Sequence, residues 1–208
     1  MLPVSLKNLI DQLSKLPGLG QRAATRLVFY LLNQSQNDLN ALGEAVKNLK
    51  ARTKICRQCF NLTDGNDFCS ICSDRKRQQN LICVVEDILD IIPIERTRQF
   101  SGVYHVLGGL IIPTEGMMPD KLHIKELLNR LKLKSHANIS TSDADTKTEI
   151  ILALNPTTEG DTTSLYIERL LKAFPAVKVS KLNRGLATGS DLEYADETTL
   201  VNALRYRH

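Results

Sequence analysis

The chain of 208 residues is long enough for one ordinary domain or for two to three small modules. Apolar residues make up 42% of it, enough to form a core, and apolar runs such as LICVV are far too short to cross a membrane. Lys7, Asn8 and Asp11 interrupt the leucines of the first segment, which argues against a signal peptide. These features predict a cytoplasmic protein that has no membrane partner.

The net charge of +4 is unevenly distributed. Residues 1–80 contain 12 Lys+Arg against 6 Asp+Glu, a net of +6, whereas residues 81–208 contain 15 against 17, a net of −2. A basic first part is typical of a module that binds a polyanion, although a solvated basic surface explains the charge equally well.

The first helices surround a short glycine-containing turn. Leucines at helical spacing from Leu6 to Leu16 predict a helix that is broken by the sequence PGLG, and further helices follow at Ala24–Leu32 and Leu39–Leu49. The two glycines of the turn allow close approach to a ligand, and the free N–H groups of the next helix suit a phosphate. We therefore predict a helix-hairpin-helix that binds the DNA backbone independently of base sequence through Gly18, Gly20, Arg22 and Arg26. The alternative is a helical corner that only packs.

Four of the five cysteines lie in the segment CRQCFNLTDGNDFCSIC, as two pairs with two-residue gaps. In a reducing compartment, such pairs are more often metal ligands than disulfides. We predict one closed, structural Zn²⁺ site per chain, and metal binding would supply most of the folding free energy of so small a module. The predicted ligands are Cys56, Cys59, Cys69 and Cys72. A redox or disulfide pair is the alternative.

Other residues near these cysteines have less specific roles. The fifth cysteine, Cys83, is predicted to be a buried strand residue. The basic residues beside the four cysteines could contact phosphates, and a solvated rim is at least as plausible; they are Lys54, Arg57, Arg75, Lys76 and Arg77.

From Leu81 onward, strands alternate with helices, which predicts a mostly parallel sheet. The predicted strands are LICVV, GVYHVL, EIILAL and VKVS. The predicted helices are Asp87–Thr97, Leu122–Leu131, Thr162–Ala173 and a last one within Asp196–Arg207. His105 lies in a strand and is expected to be packed rather than catalytic.

Acidic residues follow two of these strands. Glu86 follows LICVV, while Glu159 and Asp161 follow EIILAL. Because ligands bind beyond the carboxyl ends of parallel strands, these side chains could together hold Mg²⁺ or bind a partner. Equally, Glu159 and Asp161 could cap the helix that follows. Glu86, Glu159 and Asp161 are called the acidic trio below.

An ordered series of motifs along the chain resembles the RecR family of bacterial recombination proteins. The series is LPGLGQRAATRL, the four cysteines, VVED, ERTRQFSGVYHVLGG, NPTTEGDTTSLYI and LNRGLATGSDLEYADETTL. The resemblance implies a multidomain α+β protein with four parts. These are a helix-hairpin-helix module (1–53), a four-Cys zinc module (54–77), an α/β Toprim domain (78–175) and a C-terminal segment (176–208), which carries the last helix.

The resemblance also implies a function. Members of the family are non-enzymatic mediators of recombinational repair that form ring-like homo-oligomers and act with RecO and RecF to load RecA onto single-stranded DNA. A nucleoid-associated, cytoplasmic location follows. The rival hypothesis is a Mg²⁺-dependent Toprim enzyme, such as a nuclease, and a structural adaptor is a third. Two departures matter here: Glu159-Gly160-Asp161 replaces the Asp-x-Asp of Toprim enzymes, and Ala187 replaces a proline usual in the family.

Overall fold

The computed structural model describes residues 2–137, 148–183, 185–186, 188–189 and 191–205, without side chains at 134–137. Its contacts divide the chain into two compact units, Met1–Thr53 and Lys54–His208. No helix in the described part of the chain is both long and apolar enough to span a bilayer.

The N-terminal unit contains three helices, α1 (Val4–Leu13), α2 (Gln21–Leu32) and α3 (Gln36–Arg52). A small core of Ile10, Ala24 and Val28 joins α1 to α2. The first helix ends three residues before the predicted Leu16, because the chain enters a turn in which the Leu19 N–H donates to the Leu16 carbonyl at 3.1 Å. Ser35 caps α3 by accepting a hydrogen bond from the Asp38 N–H.

The C-terminal unit begins with the cysteine module, which we define as residues 54–77. Strands β1 (Thr53–Ile55) and β2 (Leu62–Asp64) form a small sheet, and the short helix α4 (Ser70–Ser73) follows it. Gly65 between β2 and α4 has a φ of 76°, the left-handed conformation that glycine adopts without steric cost.

The rest of this unit is built on a four-stranded sheet. Its strands are β3 (Gln78–Val85), β4 (Gly102–Val106), β5 (Thr148–Ala153) and β6 (Val177–Lys181), in the order β4-β3-β5-β6. All three neighbouring pairs are parallel, which confirms the predicted topology. The helices are α5 (Ile91–Arg96), preceded by a 3₁₀ turn (Ile88–Asp90), then α6 (Ile124–Ala137), α7 (Thr158–Leu171) and α8 (Glu197–Arg205).

Alternation along the strands sends side chains into two cores. On one face, Ile82 and Val84 pack with Leu127 of α6 and Ile167 of α7. On the other, Cys83 and its neighbours pack with residues of α5. A central strand buried on both faces explains the continuous apolar run LICVV.

Other helix boundaries also differ from the prediction or lie partly beyond the described residues, among them those of α5, α6 and α7. Helix α7 begins at Thr158, four residues before the predicted Thr162, because the Thr157 side chain accepts a hydrogen bond from the Gly160 N–H and caps the helix there. The predicted last helix extends to Arg207, but the description ends at residue 205. Ala187, where the family usually has a proline, also lies outside the described residues.

Candidate functional site

The four cysteines predicted as metal ligands converge on one point. Their sulfur atoms all lie within 4.8 Å of one another, and Cys56, Cys59 and Cys69 are buried while Cys72 is half-buried. Among the described residues, no other group of three or more His, Cys, Asp or Glu side chains is close enough to share a metal.

Local backbone structure forms each pair of cysteines. The Phe60 N–H donates to the Cys56 carbonyl at 3.0 Å, and Phe60 itself has a φ of 64°, which turns the chain sharply after Cys59. In the second pair, Cys69 is the N-cap residue of α4, and the Ser73 N–H donates to its carbonyl at 3.0 Å. Both thiols of each pair therefore point to the same side.

The chemistry of the cluster suits a thiophilic metal. The contact between the Cys59 and Cys69 sulfur atoms lowers the pKa of Cys69 and raises the pKa of Cys59. The Sγ atoms of these two residues are 3.5 Å apart. Four sulfur ligands with no oxygen donor fit a closed, tetrahedral zinc site. By contrast, burial raises the pKa of the lone Cys83 to about 12, and Cys83 is a buried strand residue as predicted.

The cysteine module packs directly on the four-stranded sheet. The Val106 N–H at the end of β4 donates to the Cys59 carbonyl at 2.8 Å. The Phe60 ring stacks on His123, with ring centroids 3.7 Å apart and planes inclined by 11°. His105 is fully buried, as predicted, and its Nε2 lies 2.7 Å from the His123 carbonyl oxygen. Burial lowers the pKa of His105 to about 3, so its ring is neutral.

The basic residues beside the cysteines are not all free to bind phosphate. Arg77 Nη1 donates to Glu95 Oε1 at 2.9 Å and to the Phe100 carbonyl at 3.1 Å, while the Tyr104 hydroxyl donates to the same carboxylate oxygen at 2.7 Å. The hydrogen bond to Arg77 lowers the pKa of Glu95. Arg77 thus ties the end of the cysteine module to α5 and β4 and is a structural residue. No pattern in the sequence predicts that residues 77 and 95 form a pair.

The glycine-containing turn of the N-terminal unit is open. Gly18 has a φ of 81°, and neither it nor Gly20 has any atom within 4 Å of an added Cβ. Gly20 is the N-cap residue of α2 and offers no side chain to the N–H groups of the first turn. Arg22 and Arg26 are exposed on α2, and no ion pair between described residues includes either.

The acidic trio is not gathered into a metal cluster. Glu86 accepts a hydrogen bond from Asn155 Nδ2 at 2.8 Å, a tie between β3 and the loop after β5 that the sequence did not predict. Glu159 and Asp161 lie in the first turn of α7, where their charge favours the helix dipole. Neither residue is the N-cap of α7, however. The N-cap is Thr157, whose side chain accepts the hydrogen bond from the Gly160 N–H.

A pocket of about 670 Å³ lies beyond the carboxyl end of β5. Asn155, Asp161 and Lys181 are among the residues that line it. It occupies the edge of the sheet where ligands bind in parallel α/β folds.

Four family models match this chain, and together they cover most of its length. Models of the Toprim domain, of the RecR helix-hairpin-helix, of the RecR four-cysteine zinc finger domain and of the RecR C-terminal region match residues 80–183, 6–50, 53–74 and 185–208. The recombination protein RecR of Cutibacterium acnes is 45% identical over 97% of this chain and 94% of its own length. The chain belongs to the RecR family of recombination proteins.

Other relatives support the same assignment. The recombination protein RecR of Prochlorococcus marinus (strain MIT 9313) is 46% identical over 96% of this chain and 98% of its own length, and that of Chloroherpeton thalassium is 42% identical over 98% and 96%. Membership of the RecR family confirms the predicted combination of a helix-hairpin-helix, a four-Cys module and a Toprim domain, and it places the chain in recombinational DNA repair.

Proposed function

We propose that this RecR-family chain is a non-enzymatic recombination mediator. It binds the DNA backbone, whatever the base sequence, through the turn and helix that contain Gly18, Gly20, Arg22 and Arg26, and it acts with RecO and RecF to load RecA onto gapped or single-stranded DNA. The observation that carries the DNA-binding part of this proposal is the uncapped and unobstructed N-terminus of α2, next to two exposed arginines that no ion pair between described residues includes.

The geometry supports phosphate binding for a simple physical reason. The first N–H groups of α2 have no partner within the helix, and the helix dipole places positive potential at the same end. Because neither Gly18 nor Gly20 has a neighbour within 4 Å of an added Cβ, a phosphate can approach the backbone closely. Arg22 and Arg26 lie four residues apart, hence on one face of the helix, and supply positive charge.

The four cysteines hold one structural Zn²⁺ per chain in this proposal. Zinc would fix the cysteine module against β4, where the Cys59 carbonyl and the Phe60 ring already contact the sheet and its neighbouring loop. Its closed ligand set leaves no position for substrate, so the metal would stabilise the fold and take no part in chemistry. The proposed modules keep the bounds 1–53, 54–77, 78–175 and 176–208.

Self-association into a ring-like clamp is part of the proposal. No residue of α3 is buried in the described part of the chain, and the apolar side chains of Leu42, Val46 and Leu49 are exposed. Val201 and Leu204 of α8 are exposed as well. Apolar helix faces that a chain does not cover itself are typical of subunit interfaces.

The acidic trio is proposed to bind or orient a basic partner surface, RecO among the candidates, or to contact DNA through Mg²⁺. Glu86 is already oriented by Asn155, at the edge of the sheet where the pocket beyond β5 opens. The proposed site of action is the nucleoid in the cytoplasm.

DNA binding across a salt series tests the central claim. The double variant Arg22→Ala/Arg26→Ala should bind every DNA sequence about tenfold or more weakly at low salt, and the slope of log K against log[salt] should fall by about one to two units. A matched control, Arg75→Ala/Lys76→Ala, removes the same charge from the cysteine module and should have the smaller effect. Unchanged affinity in the first variant, with a loss in the second, would move the DNA site to the cysteine module.

A further inference from the structure

Among the described residues, three buried side-chain nitrogen atoms have no hydrogen-bond partner, and all three lie beneath the cysteine module. They are Nδ1 of His105 and Nε and Nη2 of Arg130. Arg130 belongs to α6 and is only 8% exposed. Its Nη1 donates to the Tyr104 carbonyl of β4 at 2.8 Å. The other two donor nitrogens of the guanidinium are buried without an acceptor among the described residues.

No carboxylate within the described part of the chain forms an ion pair with this guanidinium. The neighbouring His105 supplies no negative charge either, because an imidazole is neutral or cationic. A buried and unpaired charge is strongly destabilising, which is why buried arginines are nearly always paired.

The cysteine module adjoins this charge. Arg130 Nη1 donates to the carbonyl of Tyr104 in β4, two residues before Val106, whose N–H donates to the Cys59 carbonyl. Burial lowers the pKa of Arg130, and the charges of Cys72, Cys59, Cys56 and Cys69 oppose that effect. Arg130 also lines, with Phe60 and Phe68 of the cysteine module, a pocket of about 480 Å³ between that module and α6. The buried guanidinium therefore adjoins the module whose cysteines are buried.

The attraction between Arg130 and the four cysteines remains when a zinc ion is bound. Four thiolates carry more negative charge than one Zn²⁺ neutralises, so a closed four-Cys site remains net negative when it is full. In a region of low dielectric constant, such a centre is stabilised by a nearby fixed cation.

We propose that Arg130 is the buried counter-charge of the zinc–thiolate centre, and that it couples occupation of the metal site to the packing of α6 and β4 beneath it. Arg130 contacts no metal and is a positioning residue. The inference rests on the zinc site proposed above. It goes beyond that site because it assigns the electrostatic balance of the metal to a residue outside the cysteine module.

Two substitutions separate charge from shape. Arg130→Met keeps much of the volume and removes the charge, whereas Arg130→Lys keeps the charge and loses the planar donors. Competition with a chromogenic chelator, measured on purified full-length protein, should show zinc bound about 10- to 100-fold more weakly by Arg130→Met, the range found for residues that support metal ligands. Arg130→Lys should recover most of the affinity. Leu131→Ala, a neutral change in the buried face of the same helix, should lower thermal stability and leave zinc affinity unchanged.

A double-mutant cycle tests the electrostatic origin and remains informative if Arg130→Met folds poorly. Cys72→His preserves a normal zinc ligand set but removes one thiolate charge. If Arg130 acts as a counter-charge, replacing it by the neutral residues Gln or Met should cost less zinc affinity in the Cys72→His background than in the parent. Equal costs in both backgrounds would overturn the proposal, as would wild-type zinc affinity in Arg130→Met. A parent protein that binds no zinc would instead overturn the zinc site itself, and the counter-charge with it.

Discussion

The four cysteines and the acidic trio differ in how the chain holds their side chains together. The cysteine sulfur atoms all lie within 4.8 Å of one another, and three of the four residues are buried. Glu86, in contrast, follows β3 and is tied to Asn155, while Glu159 and Asp161 lie in the first turn of α7. The cysteines come in pairs with two-residue gaps, so each pair is positioned by its own turn. The carboxylates lie in or next to two elements that are distant in sequence, so the distance between Glu86 and the other two is set by how β3 and α7 pack.

The largest expected effect comes from the cysteine side of this comparison. Cys59→Ser should abolish zinc binding and unfold the cysteine module, because metal binding supplies most of its folding free energy. Elemental analysis of purified protein and a thermal melt would measure both losses. Cys83→Ser is the matched control: it places the same hydroxyl in a buried strand position and should destabilise the core but keep the zinc. Zinc retained at full stability in Cys59→Ser would contradict the prediction.

A second substitution acts on the turn that carries the acidic residues of α7. A Cβ on Gly160 would clash with the Asn155 carbonyl oxygen, a backbone atom that cannot easily move. Gly160→Ala should therefore destabilise the protein by about 1 to 3 kcal/mol in a denaturant melt. Gly43→Ala is the matched control, since its Cβ meets open space in α3 and should stabilise that helix by up to about 1 kcal/mol. Similar results for the two would refute the steric argument.

A third prediction concerns Glu95, a carboxylate that the Arg77 guanidinium holds by a hydrogen bond and an ion pair. Because Arg77 lowers the folded-state pKa of Glu95, its stabilising contribution is present at neutral pH and is lost as the pH falls through that folded-state value. Glu95→Gln should cost about 1 kcal/mol near neutral pH, and progressively less in acid.

Denaturant melts of parent and variant over a pH series would measure this trend. Glu44→Gln, which removes a carboxylate from an exposed pair with Lys47, should have little effect throughout. A Glu95→Gln penalty that grew toward acid pH would show that the sign is wrong.

The smallest expected effects come from the acidic trio itself. The three side chains are half-buried, and Glu86→Ala, Glu159→Ala and Asp161→Ala should each change the free energy of unfolding by no more than about 1 kcal/mol. Neither the parent nor the variants should cleave or extend DNA with Mg²⁺, and at least one variant should weaken partner binding or RecA loading. Mg²⁺-dependent cleavage by the parent, lost in the variants, would favour the enzyme and would make the trio a metal site after all.

The sequence predicted the elements well wherever a local pattern dictates them. The apolar run LICVV predicts a strand, and the structure shows that it is buried on both faces of the sheet. The alternation of strands with helices predicts that neighbouring strands are parallel, as they are. The start of α7 is predicted four residues too late, since threonine at position 157 is not recognised as the cap. Candidate DNA-binding residues Gly18, Gly20, Arg22 and Arg26 follow from turn chemistry and charge, and their role stays a prediction.

The sequence by itself determined the clustering of the cysteines, the alternation of strands and helices, and the glycine turn before α2, because each depends on residues a few positions apart. Only the tertiary structure decided the pairing of Arg77 with Glu95, the tie between Asn155 and Glu86, and the burial of Arg130 beneath the cysteine module. These contacts join residues that are distant in the chain, and they form because the packed sheet brings its strand ends and helices together. Charge and hydrogen-bonding capacity can be identified in the sequence, but the partner of a buried polar group is chosen by the fold.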